Sequence, residues 1–180
     1  MIVPDGVSAR RTKAAVGTAL FLAVAPGTLA GLVPWLLSGW RWAPPLFGIE
    51  ASRWVGGALI AAGVPVLIDS FVRFAREGLG TPAPIYPTDR LIVSGFYRHV
   101  RNPMYVAVTA VILGQGLLLG VPGLLLYGAI AWLGFHLFVL FHEEPALRAR
   151  YGAQFDAYCA AVRRWLPRLT PHRESSPREA

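Results

Sequence analysis

From Val106 to Phe141 the chain runs 36 residues without a single Asp, Glu, Lys or Arg. A soluble helix of that length needs a polar face towards water, and this stretch offers none. Roughly 20 apolar residues suffice to cross ~30 Å of hydrocarbon as a helix, so the stretch holds nearly two crossings. Gly120-Val121-Pro122-Gly123, near its middle, is a turn signal. The reading is a helical hairpin of Met104 to Leu119 and Leu124 to Phe141, and a bilayer is the solvent that permits it.

Two earlier runs extend the pattern. Ala14 to Trp40 is apolar but interrupted by Pro26 and Pro34, which makes it either one kinked span or a span followed by an interfacial turn. Trp54 to about Phe71 is a further span, with Pro65 inside it. Trp35, Trp40, Trp42 and Trp54 gather around the first connection, where interfacial aromatics belong. Hydrophobic residues at 54% against 15% charged place the whole chain in the membrane class. The expected fold is an all-α integral membrane protein with about four transmembrane helices, five if the first run is split, plus a C-terminal amphipathic helix. Residues 1–13 form a cytoplasmic segment, 14–168 the membrane domain and 169–180 a polar, disordered tail. The first run is not read as a cleaved signal peptide, because it continues past Ala23-Val24-Ala25 and Pro26 would follow the cut.

Charge decides orientation and excludes several functions. Of the 17 Lys and Arg residues, 15 fall in segments 1–13, 72–103 and 142–180, and only Arg41 and Arg53 lie in the 41–53 connection. The positive-inside rule puts both termini and the middle loop in the cytoplasm, as in a bacterial inner membrane. The net charge of +7 is dispersed between apolar runs. It lines no stripe of the kind that binds nucleic acid, so anionic headgroups are its counterpart. Cys159, the only cysteine, can form no internal disulfide, and no His/Cys cluster offers a metal site.

The polar residues concentrate at one level. With both hairpin ends inside, Tyr-Arg-His-Val-Arg-Asn-Pro-Met-Tyr (97–105) and Glu143-Glu144 emerge at the same membrane face, although Tyr105 and Glu143 are 38 residues apart. Adjacent carboxylates at a membrane boundary need a positive counterpart. Leu147, Tyr151, Phe155, Tyr158, Val162 and Trp165, spaced by three or four, predict one amphipathic helix entered at Pro145 and ended by Pro167. Plainer readings stand beside these: Arg98 and Arg101 as orientation anchors, the acidic pair as a helix start, His99 and His142 as interfacial residues. Gly114-Gln115-Gly116 suits close helix contact, and Asp69 suits a pair with Arg73.

The ordered set GTPAP (80–84), GFYRHVRNPMY (95–105), EEPAL (143–147), YGAQFDAYCAAV (151–162) and RWLP (164–167) resembles the isoprenylcysteine carboxyl methyltransferase and phospholipid methyltransferase superfamily over about residues 54–168. These are small integral membrane enzymes that use S-adenosyl-L-methionine. The family's usual RHPxY appears as Arg101-Asn102-Pro103-Met104-Tyr105, with asparagine in place of histidine, and Ala107 stands where glycine is frequent.

The resemblance implies that Arg101, Asn102, Pro103 and Tyr105 border the cofactor and that Glu143 and Glu144 hold it. Gly78 and Gly80 would match the family's cofactor glycines and Arg164 its closing arginine. Tyr151 joins them as a cofactor neighbour, although its spacing also fits packing. A sulfonium and an ammonium would supply the positive counterpart of the acidic pair, while Arg98 and Arg101 bind the ligand's carboxylate. The methyl acceptor would be a lipid or a lipidated molecule, and His99 is the candidate base if that acceptor is an amine. With His99, the residues Arg101, Asn102 and Tyr105 make up the expected catalytic set. The competing readings are an NADPH-dependent membrane reductase of related fold and a non-catalytic membrane scaffold.

Overall fold

The structure, a computed structural model, describes residues 16–17, 20, 24–76 and 91–172. Every regular element among them is helical: α1 (Val24–Ser38), α2 (Ala51–Arg76), α3 (Pro103–Leu119), α4 (Pro122–Phe138), α5 (Glu144–Tyr151) and α6 (Ala153–Ala161). Ala51–Arg73, with 23 residues, and Pro122–Tyr151, with 30, are long and apolar enough to cross a membrane. Only 22% and 17% of their most apolar windows are buried within the chain, which separates them from core helices of a soluble protein. Helices α1 and α3 are apolar but shorter.

The hairpin forms as its turn signal predicts. Gly120 closes α3 in the left-handed conformation at φ 74°, and Pro122 opens α4 where its missing N–H costs nothing. Helix α3 is the buried centre, with Ala107, Val108 and Ile112 almost wholly covered. It packs on α2 through glycine. A Cβ on Gly56 would lie 2.6 Å from the Gly114 carbonyl oxygen, and one on Gly63 would lie 3.0 Å from that of Ala107. The two backbones therefore touch, as expected for Gly114, and Ala107 is accommodated because the glycine stands on the opposite helix. At the far end Arg53 donates to the carbonyls of Leu118 and Ala43, capping α3.

Two proline positions explain the irregular turns. Pro34 lacks the N–H that would bond Ala30, and a π turn at Thr28–Leu32 precedes it. The carbonyls this frees are captured by side chains: Gln115 Nε2 donates to Ala30 at 2.7 Å and the Tyr127 hydroxyl to Leu29 at 3.0 Å. The same arrangement recurs at Val139–Glu143, a π turn two residues ahead of Pro145.

One expectation fails. Residues 147–165 do not form a single helix ended by Pro167: the helix breaks at Gly152 (φ 50°), restarts as α6 and ends at Ala161. Phe155, Tyr158 and Val162 form a small core with Leu91, Val93, Leu147 and Tyr151 packed on it, so the stripe was read correctly up to there. Val162 is extended, and the chain then runs as a strap across residues 98–102. Arg101 N–H donates to Arg163 O, Arg168 N–H to His99 O and His172 N–H to Arg98 O, each at 2.9 Å. Non-local backbone pairing won over helix periodicity here. Residues 170–172, expected in the tail, are thus held to the fold.

Candidate functional site

The π turn at the end of α4 sets the site. Its wider winding turns the two neighbouring carboxylates to different partners, Glu143 towards α3 and Glu144 towards the strap. Tyr105, in the first turn of α3, donates its hydroxyl to Glu143 Oε2 at 2.9 Å and stacks on Phe135 with ring centroids 4.8 Å apart. Glu144 accepts a two-pronged bond from Arg164, Nε to Oε1 at 2.7 Å and Nη2 to Oε2 at 2.8 Å, and meets Arg101 Nη1 at 3.1 Å. The opening motif and the acidic pair do converge at one end of the hairpin.

The charge balance differs from expectation. Both carboxylates were read as lacking a positive partner, yet Glu144 is held between two arginines of the chain itself. The sequence hid this because Arg164 lies 20 residues away and reaches Glu144 only once the strap has folded back. Among the described residues Glu143 makes no ion pair; its partner is the Tyr105 hydroxyl. On the donor side, Arg101 is mostly spoken for: Nη1 also donates to Cys159 Sγ at 2.7 Å. Among the described residues its Nε is buried without a hydrogen-bond partner, and the same holds for the hydroxyls of Thr109, one turn along from Tyr105, and of Ser52, at the opposite end of α2. Such donors are rare in folded chains.

The other candidates divide between scaffold and site. Asn102 is buried, precedes the first turn of α3, and donates Nδ2 to Arg164 O at 3.2 Å; Pro103, also buried, opens α3. Arg98 is not drawn to the acidic pair: its Nε donates to His172 O at 2.6 Å. His99 Nδ1 lies 2.8 Å from Arg168 O. A carbonyl can only accept, so that nitrogen carries a proton and donates it. Tyr151 packs on the α6 core beneath the Arg150 guanidinium. Gly78 and Gly80 lie outside the described residues. Asp69 and Arg73 pair at 2.8 Å as expected, and Arg73 goes on to Ser94 Oγ at 3.1 Å. A Cβ on Gly95 (φ 53°) would overlap that guanidinium, which fixes the entry of the motif to the end of α2.

Electrostatics around the strap follow from burial. The bond to Glu144 raises the pKa of Arg164, keeping it charged. Burial pushes the Tyr158 hydroxyl up against a downward pull from Arg101; its proton goes to Tyr97 O at 2.7 Å. Burial likewise raises the Cys159 thiol, with Arg101 opposing, so Cys159 is a neutral acceptor for Arg101 and no nucleophile. Sequence reasoning missed this residue, and it missed the cluster in which Trp165 Nε1 lies 3.0 Å from His136 Nδ1 while Trp132 stacks on His136. Trp165 had been placed on the helical stripe, and no local signal tied it to α4.

A helical chain with apolar flanks, whose charged groups are gathered at one end of a hairpin, defines a membrane-associated protein with a polar boundary site. Residues 51–154, more than half of the chain, match the phospholipid methyltransferase family, and the chain belongs to that family. The match runs from the start of α2 into α6 and takes in the 97–105 motif and the acidic pair, while Arg164 lies beyond it. Searches of curated proteins and of solved structures found no match.

Proposed function

We propose that this protein transfers a methyl group from S-adenosyl-L-methionine to a lipid or lipidated acceptor at the headgroup level of the membrane. The observation that carries the reading is the convergence of Tyr105 and Arg101 on the acidic pair, where, among the described residues, Glu143 meets no cation and Arg101 Nε no acceptor. A ligand bearing an ammonium, a sulfonium and a carboxylate meets both needs. The cofactor supplies the electrophilic methyl in an in-line displacement, so the protein has to bind, align and keep water out. Glu143, steadied by Tyr105, attracts the ligand's positive groups. Arg101, held by Glu144 and Cys159, keeps its Nε aimed at the carboxylate. Asn102 and Arg164 fasten the strap that covers them. His99, whose Nδ1 is held by the Arg168 carbonyl, is the base for an amine acceptor.

The experiment follows the same charges. Calorimetry of the detergent-purified protein should show S-adenosylhomocysteine binding, and NADPH should give no heat. Glu143→Gln keeps the Tyr105 bond but removes the charge. It should weaken S-adenosyl-L-methionine by about 1.5 to 3 kcal/mol, the scale of a charge-assisted hydrogen bond. Equal affinity for variant and parent would sink the assignment. With radiolabelled methyl donor and total membrane extract, label should enter the organic phase, and an Arg101→Ala control should leave it unlabelled. Label confined to water-soluble products removes the lipid acceptor while leaving methyl transfer intact.

Four crossings with both termini inside are part of the same proposal, resting on the charge distribution. Ser38, at the end of α1, belongs on the outer side and Ser175 on the inner. Cysteine placed at each, treated in intact cells with an impermeant thiol reagent, should react only at position 38. Reaction at 175 would reverse the orientation.

A further inference from the structure

We infer that the strap after α6 docks onto the bilayer surface, with Leu166 and Leu169 in the headgroup-acyl boundary and Arg163 on anionic headgroups. The partner is a lipid surface, and the reason is where the strap is pinned. The helical path that begins at Pro122 continues to Tyr151; Glu144 lies 22 residues along it, roughly 33 Å at 1.5 Å per residue, about the thickness of the hydrocarbon layer, where the charge-free run gives way to the acidic pair. Glu144 therefore marks one boundary of that layer. His136 lies eight residues earlier, roughly 12 Å inside it. The strap holds both levels at once: Arg164 bonds Glu144, and the very next residue, Trp165, reaches His136 and packs against Trp132. Its backbone at 164–165 is thus clamped along the outer flank of α4, between the boundary and the interior. That flank is apolar and open, with Trp132, Leu133, Leu137 and Phe141 exposed on the same helix.

The residues that follow suit this depth. Leu166 is 65% exposed and Leu169 98%, so neither is covered by the described residues. Two bare leucines beside an indole are out of place in water and at home in the interface. Arg163, exposed, makes no ion pair among the described residues and precedes the pinned Arg164. A guanidinium there can extend to lipid phosphate while the apolar groups stay below. Since the strap carries Arg164 to Glu144, docking would steady that ion pair.

The inference depends on the membrane-spanning reading and not on methyl transfer, so a direct depth measurement tests it. In a Cys159→Ser background, Leu169→Cys and, separately, Leu166→Cys are spin-labelled in nanodiscs of phosphatidylcholine alone or mixed with phosphatidylglycerol. Collision with oxygen should exceed collision with a water-soluble nickel chelate several-fold, and the excess should grow with phosphatidylglycerol. Arg163→Gln should abolish that growth while leaving the excess in phosphatidylcholine. Labels at both positions that meet the nickel chelate as readily as oxygen overturn the docking. An excess indifferent to phosphatidylglycerol overturns the role of Arg163. The two labels are independent, so one variant that does not fold leaves the other to decide.

Discussion

Glu144→Gln should cost about 3 kcal/mol of stability, more than any other single change of a polar side chain at this site. Glu144 is buried and binds both Arg101 and Arg164, so neutralising it strands two guanidinium groups that the fold has already desolvated. Losing one partner of a buried ion pair typically costs about 3 to 5 kcal/mol. The lower figure applies because the Arg164 side chain is 29% exposed and water screens part of its charge. Thermal unfolding in detergent should report the loss. Adding Arg164→Gln to it should cost less than that substitution does alone in the parent, because the charge to be paired is already gone. Strict additivity of the two would show that the pair does not act as one unit. This also separates the two carboxylates by experiment: the Glu144 variant is read in stability, the Glu143 variant in ligand affinity.

The second large effect lies where α2 crosses α3. Gly56→Ala places a methyl 2.5 Å from the Leu118 backbone nitrogen and 2.6 Å from the Gly114 carbonyl oxygen. Neither atom belongs to a side chain that could rotate away, so α2 and α3 must separate. The expected loss is about 3 kcal/mol, the upper end of the overpacking range. Gly57→Ala, one residue on, is the control: its Cβ would meet nothing within 4 Å, and alanine gains up to about 1 kcal/mol over glycine in a helix interior. Equal melting temperatures for the two variants would mean that the close contact is not what holds these helices together.

Family membership and geometry support different parts of the functional reading. The match to phospholipid methyltransferases covers α2 to α5 and the acidic pair. The closing arginine and the strap lie outside it, and their place beside Glu144 rests on the fold. The division has a chemical sense. In the proposed reading the helices carry the residues that meet the methyl donor, and the strap lies over them.

The sequence alone determined what the physics of a bilayer makes local. A 36-residue run without charge permits only apolar helix, and Gly120 and Pro122 can only turn it, so the hairpin was legible residue by residue. The convergence of Tyr105 and Glu143 followed, because two antiparallel helices of known length must bring those ends together. Even Asp69 with Arg73, and Gly114 as a contact point, needed only helical spacing. What the tertiary structure decided is everything that depends on pairing across distance. The stripe from Leu147 to Trp165 obeys helix periodicity throughout, yet Gly152 breaks it and the residues after Ala161 leave the helix to bond the backbone of His99 and Arg101. Periodicity reports which residues prefer burial and is silent on a competing partner more than 60 residues away. For the same reason the sequence left Glu144 without its arginines. Charge balance in a buried site is a property of the assembled neighbourhood, and two of the three groups that set it reach Glu144 from other segments only after the chain has folded.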